Sequence, residues 1–403
     1  MKDERNMAGR TGTAKRTKRN PAGLRRVRLN RQARDYYDYN LLAAVILLTC
    51  FGLIMLYSTS AYEATVEWGS DTYYFGKQAL ISIASFVMLI IGSQIDYHLY
   101  IKHSGKLYAL SVILLIATQF IGRTINGARR WIYIGPISFQ PAELAKLAII
   151  LFLPYVIVSM SKDRMDSLRA PVFVIGLGFF SALCTYLFTD NLSTAIIILG
   201  ISVILSFIVH PRTKPWIGAL LGLLGIGAIA VFLVIPRLSD SENFRINRIQ
   251  VWLHPEDYAS SGGYQVMQAL YAIGSGGLFG KGLGNSVQKL QALPEAQNDM
   301  IFSIVCEELG VFGALIVVLL FVFLLYRLFF IASNAPDLLG SLIATGIFVH
   351  IALQVVLNIA VVINLIPTTG ITLPFVSYGG TSILFLMAEM MVALSISKQI
   401  TFK

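Results

Sequence analysis

The sequence predicts an all-α polytopic membrane protein: about ten transmembrane helices, with one large extracellular loop between helices 7 and 8. Composition is the first reason. Of 403 residues, 56% are hydrophobic and 13% charged, and the mean hydropathy is +0.68, whereas soluble domains carry about 25% charge to clothe their cores. The second reason is spacing, since apolar runs near the ~20 residues that cross a bilayer recur from end to end. The third is where the charge lies: residues 1–40 hold twelve Lys and Arg against four acids, so +8 of the formal +10 sits in a tail and the rest is nearly neutral.

Taken in order, the spans fall near 41–58, 78–95, 107–122, 143–160, 171–188, 192–209, 216–235, 300–325, 339–362 and 381–397. The first has too long a basic leader for a cleaved signal peptide, and Tyr57-Ser58-Thr59 is a poor cleavage site, so it reads as a signal anchor. The tail 1–40 reads as disordered and drawn to an anionic cytoplasmic leaflet. Its tether to a membrane argues against nucleic acid as a partner. Lys and Arg in the short loops orient the remainder. Lys102, Lys106, Lys162, Arg164, Arg169, Arg212, Lys214, Arg327, Lys398 and Lys403 all fall on the side of the N-terminus, which puts both termini in the cytoplasm; Glu63, Glu67 and Asp71 dominate the first opposite loop. Cys50, Cys184 and Cys306 lie in apolar runs and read as small core residues with no disulfide framework. The transmembrane domain thus covers 41–400.

Two external segments break the pattern. The connection 123–142 is basic on the wrong side, with Arg129-Arg130-Trp131 leading into Phe139-Gln140-Pro141-Ala142-Glu143-Leu144-Ala145-Lys146. A guanidinium fork there suits a phosphate or anionic headgroup; snorkelling arginines beside a Trp anchor are the alternative. Pro141 fits a first helical turn, and Glu143 and Lys146 then share one face. They either neutralise each other or, as charges at membrane depth, serve function.

The loop 236–299 is roughly 64 residues, far beyond the ~15 above which a loop is usually functional or disordered. Its glycines at 274, 276, 277, 280, 282 and 284 match no nucleotide motif: Ser275 and Gly282 break a Walker A loop, Phe279 and Asn285 a GxGxxG. They read as tight turns or close backbone approaches. Asp299 directly precedes the next span. It is either a helix N-cap or a general base at a cavity floor, with its pKa raised by partial desolvation. Glu307 and Glu308, two turns deeper, either pair with Lys146 or backbone groups or mark a polar pathway. There is no HExxH, CxxC or GxSxG, and the five histidines are scattered, so metalloprotease and serine-hydrolase chemistry is poorly supported. The Pro/Gly-broken stretch 365–382 reads as backbone lining the same cavity.

That last stretch carries a resemblance. Pro367-Thr368-x-Gly370-Ile371, then Phe375-Val376-Ser377-Tyr378-Gly379-Gly380-Thr381-Ser382, with Asn358 upstream, resembles the signature of the SEDS family (shape, elongation, division and sporulation). Arg130-Trp131, Phe139-Gln140-Pro141-x-Glu143-x-x-Lys146, Gly263-Tyr264-Gln265 and Leu293-Pro294-Glu295…Asp299…Glu307-Glu308-Leu309-Gly310 are similar to further family blocks in the same order. The segment with Ala388-Glu389-Met390 looks more like the division and sporulation members than the elongation ones, and the chain as a whole most like the cell-division members. The resemblance implies a peptidoglycan glycosyltransferase that polymerises lipid II, the undecaprenyl-pyrophosphate-linked disaccharide peptide. It would act on the outer face of the bacterial cytoplasmic membrane at the septum, with a class B penicillin-binding protein transpeptidase and other divisome proteins. Asp299 matches the family's catalytic aspartate and would be general base in an inverting transfer. Arg129, Arg130, Lys146 and Lys281, or a divalent cation (magnesium or manganese), would balance the pyrophosphate. Gln140, Glu143, Ser286, Glu295 and Ser377 complete the expected substrate-binding set. Many members carry His-Thr where this chain has Gln297-Asn298, and Asn364 replaces a more usual small residue or Arg. The rival readings are an elongation or sporulation counterpart, a lipid II flippase using Glu143, Lys146, Glu307, Glu308 and Glu389, and a non-catalytic scaffold.

Overall fold

The computed structural model describes residues 36–125, 128–135, 137–160, 169–211, 244–260, 262–290 and 293–401, with scattered positions between 214 and 225. The basic tail before residue 36, most of the expected seventh span and most of the connection at 161–170 lie outside the described residues. The helices are α1 (Tyr39–Trp68), α2 (Tyr73–Gly92), α3 (Tyr97–Lys102), α4 (Ser104–Ile121), α5 (Pro141–Ser159), α6 (Arg169–Thr189), α7 (Leu192–Val209), α8 (Phe244–Leu253), α9 (Gly262–Gly276), α10 (Ile301–Asn334), α11 (Leu338–Val362) and α12 (Ser382–Lys398). Eight are long and apolar enough to cross a membrane, and α12 coincides with the last expected span. The fold is the helical, polytopic one that the composition predicts.

Local chemistry sets the helix ends. Asp38 caps α1, its carboxylate accepting from the Leu41 N–H at 2.9 Å, and Gly69 closes it in the left-handed conformation. Pro141 opens α5, where its missing N–H costs nothing. Helix α5 packs against α4, α6, α7, α11 and α12. A helix so surrounded is apolar nearly all round, and α5 is so apart from the Glu143–Lys146 pair.

Buried polar pairs lock the bundle. Lys146 Nζ lies 3.0 Å from Glu143 Oε1 and donates to Gln354 Oε1 at 3.0 Å, joining α5 to α11. Ser382 Oγ donates to Glu143 Oε2 at 3.1 Å, joining α12 to α5. His350 Nδ1 and Glu389 Oε2, 2.7 Å apart, join α11 to α12. Arg327 was expected in a short cytoplasmic connection. Instead α10 continues through it, and its guanidinium is buried against Asp38, with Nη2 2.7 Å from Oδ2. The reason is that the run Tyr326 to Ile331 stays apolar around one charge, which Asp38 neutralises. Cys184 and Cys306 are buried as expected, whereas Cys50 is exposed on α1.

The basic connection is not helical. It forms β1 (Arg123–Ile125), β2 (Ala128–Ile134) and β3 (Ile137–Phe139), an antiparallel sheet in the order β1-β2-β3, with Arg123 opposite Trp131 and Ile132 opposite Phe139. Strand alternation sends neighbours to opposite faces.

Helix α10 is broken at Gly310, whose φ of 67° and ψ of −168° are not helical. The break frees backbone groups that would otherwise bond to each other. Residues 277–282 fill the gap: Lys281 and Gly282 N–H donate to the Glu307 and Glu308 carbonyls, both at 2.9 Å, while Val311 and Phe312 N–H donate to Gly277 and Leu278 carbonyls at 3.0 and 3.1 Å. The side chains of Glu307 and Glu308 add to the splice. Glu307 accepts from Lys281 Nζ at 2.7 Å and from Ser286 Oγ; Glu308 accepts from Lys289 Nζ and Ser58 Oγ, each at 2.7 Å. Their partners are therefore loop lysines and not Lys146, because the kink turns both carboxylates toward the 277–290 segment.

A Cβ at Gly280 (φ 76°) would sit 2.2 Å from the Glu308 carbonyl oxygen, whereas one at Gly284 (φ 86°) meets nothing within 4 Å. Gly280→Ala is expected to cost about 3 kcal/mol, from strain plus overpacking, and Gly284→Ala about 1 kcal/mol from strain alone. Thermal unfolding of the purified variants in detergent checks the difference.

Candidate active site

The site forms where the 293–300 turn meets the 365–381 segment. Glu295, at φ 57°, starts the turn: its carbonyl accepts from the N–H groups of Asn298 and Met300, and its carboxylate from the Asn298 amide. This lifts Asp299 off the helix. Met300 occupies the N-cap of α10 and no side chain caps it, so the capping role open to Asp299 in the sequence is not the one it takes. Its backbone carbonyl is instead held by Asn358 Nδ2 of α11 at 2.8 Å, and the same amide donates to the Ile371 carbonyl at 2.7 Å. One buried asparagine thus ties the aspartate to the non-helical segment. Gly370 stands over the carboxylate, where an added Cβ would reach Asp299 Oδ2 at 3.6 Å.

Asp299 is half-buried, and its Oδ1 is enclosed without a hydrogen-bond partner. Desolvation, aided by the nearby Glu295 carboxylate, pushes its pKa up to about 7, against the opposing pull of Arg248 and Arg130. A carboxyl group poised near neutrality can take a proton from a substrate hydroxyl at physiological pH.

Two guanidiniums act on this carboxylate. Strand parity selects the first: Arg130 shares the face of buried Ile132 and turns inward, its Nη2 donating to the Asp190 carbonyl at 2.9 Å. Its Nε is buried without a partner, and desolvation lowers its pKa. Arg129 faces the other way and bonds the Gln119 carbonyl at 2.9 Å and Thr124. The second is Arg248 of α8, whose Nη1 donates to the Thr368 carbonyl at 3.1 Å. Sequence reasoning missed Arg248, as it did Asp190, which holds a left-handed φ of 49° just before Asn191 caps α7. Their role comes from long-range contacts that no local motif reports.

Of the other expected site residues, Glu295 joins Asp299 and Arg130. Glu143 and Lys146 are buried in the core pair, and Lys281 and Ser286 are bound to Glu307. Ser377 Oγ accepts the Leu373 N–H at 2.8 Å and shapes a turn. Gln140 occupies the N-cap of α5 without a capping bond. Among the described residues no three His, Cys, Asp or Glu side chains cluster as a metal cage would need. A cation carried with a diphosphate would have to take its carboxylates from Asp299 and Glu295, and one Glu295 oxygen already accepts from the Asn298 amide.

A family model described as a cell cycle protein, FtsW/RodA/SpoVE, matches residues 38–401. The chain belongs to the FtsW/RodA/SpoVE family. It is 39% identical to the stage V sporulation protein E of Bacillus subtilis, over 90% of this chain and 97% of that protein. It is 35% identical to a probable peptidoglycan glycosyltransferase FtsW of Trichlorobacter lovleyi, over 90% and 93%. A solved chain from a peptidoglycan synthase complex that coordinates polymerization and crosslinking superposes with a TM-score of 0.72 at 25% identity, covering 90% of this chain and 97% of that one. For an FtsW/RodA/SpoVE chain, the Asp299 pocket is the one described site that joins a carboxyl near neutrality to inward-facing cations.

The Asp299 carboxyl is expected to titrate with a midpoint about 7, read as the protonated-carboxyl band in infrared difference spectra. Because Arg248 lowers that midpoint, Arg248→Ala should raise it by roughly half a unit to one unit. A midpoint in the ordinary carboxylate range would contradict the buried environment.

Proposed function

We propose that this protein is a peptidoglycan glycosyltransferase that polymerises lipid II into glycan strands on the outer face of the bacterial cytoplasmic membrane during cell division. The observation that carries the reading is the Asp299 carboxyl, enclosed at Oδ1, raised to about 7 and flanked by Arg130 and Arg248. Asp299 takes the proton of the acceptor GlcNAc 4-hydroxyl as that oxygen attacks the donor MurNAc anomeric carbon. The bond from that carbon to the pyrophosphate breaks, undecaprenyl pyrophosphate leaves, and inversion gives a β-1,4 link. A pyrophosphate leaves without an acid, so one carboxyl suffices. Arg130 and Arg248 balance the charge it develops. If a divalent cation serves the reaction, Glu295 would help to hold it, and the cation would supply further charge neutralisation.

The charge pattern of the short loops supports an outward-facing site, since the Asp299 end of the bundle lies opposite the basic connections. A class B penicillin-binding protein is the partner consistent with the synthase complex that the fold resembles. The polar groups that a flippase would need along its path are closed by partners: Glu143 by Lys146, Glu389 by His350, Glu307 by Lys281 and Glu308 by Lys289. The 39% identity to a stage V sporulation protein favours one second reading, the same chemistry in sporulation.

Purified protein, with its cognate transpeptidase, is expected to convert lipid II to glycan strands. Asp299→Asn should lower the rate at least 10²-fold while leaving the protein folded. Since the base must be ionised, kcat/KM should fall tenfold per pH unit below about 7 and level off above it. Polymerisation at the wild-type rate by Asp299→Asn would overturn the assignment, and lipid II crossing vesicles without polymerisation would favour transport.

A further inference from the structure

An aromatic run leads away from the site. Trp68, in the last turn of α1, stacks on Tyr73 at the start of α2, with centroids 4.4 Å apart and planes at 9°. Tyr73 meets Tyr74 edge-on at 5.4 Å, and Tyr74 meets Tyr378 at 5.3 Å. The Tyr378 N–H donates to the Gln297 carbonyl at 2.9 Å, two residues from Asp299. A carboxylate follows the rings: the Tyr74 hydroxyl donates to Glu67 Oε2 at 2.6 Å. Trp68 remains 57% exposed, so its outer face is open.

Rings at helix ends commonly anchor a protein in lipid headgroups, but two observations point elsewhere. Helix α1 has 30 residues, about 45 Å at 1.5 Å per residue, against a hydrocarbon core of about 30 Å. A helix of that length is long enough to carry its last turns beyond the core. Glu67 and Glu63 both act on Tyr74 of the stack, which makes poor company for lipid but good company for hydroxyls. Aromatic faces carry negative charge density, and a pyranose ring presents an apolar C–H face with hydroxyls on its rim.

We propose that Trp68, Tyr73, Tyr74 and Tyr378, with Glu67, form a track that binds the N-acetylated glycan strand beyond the reacting sugars. The rings hold successive pyranose faces, and Glu67 accepts hydroxyl protons from their rims. The carboxylates disfavour the anionic diphosphate, so the track takes the strand and not the lipid-linked end. This inference rests on the glycan-polymerising reading of the Asp299 site.

The test has two arms. In the first, chitotetraose is titrated onto the detergent-purified, non-polymerising Asp299→Asn protein and followed by saturation-transfer NMR. Adding Trp68→Ala and Tyr73→Ala should weaken binding about tenfold, the loss of one to two ring contacts, while Trp68→Phe should retain it. In the second, with Asp299 intact and lipid II as substrate, Trp68→Ala should shorten the mean strand severalfold, and Tyr62→Ala, exposed on the same helix but outside the stack, should not. Unchanged affinity and strand length in the Trp68 and Tyr73 variants would overturn the track. So would a fall in thermal stability with affinity unmoved, which would make the stack a membrane anchor. Chitotetraose binding through Trp68, with no strands made from lipid II by the protein whose Asp299 is intact, would keep the track and refute the polymerase.

Discussion

A backbone break at membrane depth is tolerated only when something else satisfies the groups it frees, and the structure turns on one such break. The kink at Gly310 opens two carbonyls and two N–H groups of α10, and the 277–282 segment closes all four. The consequences run in both directions along the chain. The loop is held against the bundle by main-chain bonds, and the first turns of α10 are set apart from the rest of the helix. Asp299 sits immediately before those turns. Its place is fixed from below by the kink and from the side by Asn358, which is why a residue in a turn can have a defined environment.

The polar core works as a set of joints between helices. Lys146 binds Glu143 and Gln354, and Gln354 Nε2 in turn donates to the Thr372 carbonyl at 3.0 Å. Glu143 also receives Ser382. The bond path from α5 through α11 therefore ends on the same non-helical segment that Asn358 holds. Removing one member of such a group leaves its partner charged and buried, the costly case for an intramembrane pair. Glu143 and Lys146, expected as substrate contacts, thus also join helices next to the site.

Long apolar runs made the helices legible, and nine of the ten expected spans coincide with helices among the described residues. What the runs hid were the polar extensions: α1 continues past Ser58 to Trp68, and α10 carries Arg327 inside it. Hydropathy cannot see a charge that Asp38 cancels from far away in the sequence. Within the site, a carboxylate before a span makes Asp299 conspicuous, but its position alone leaves helix cap and general base both open. The choice between Arg129 and Arg130 was not, since it depends on strand parity in a sheet too short for its alternation to stand out. Arg248 stayed invisible for a different reason: nothing in its neighbourhood relates it to Asp299, and only the return of the chain over the 365–381 segment does so.

Four ion pairs among the described residues share one further property, which is that they cancel within contact distance. Glu143 with Lys146, Asp38 with Arg327, and Glu307 and Glu308 with Lys281 and Lys289 each sum to zero. A membrane potential acts on net charge that moves along the field, at about 2.3 kcal/mol per charge per 100 mV. Locked neutral groups give it nothing to grip. At these four pairs the field therefore finds no net charge to move, whether the cell is energised or depolarised.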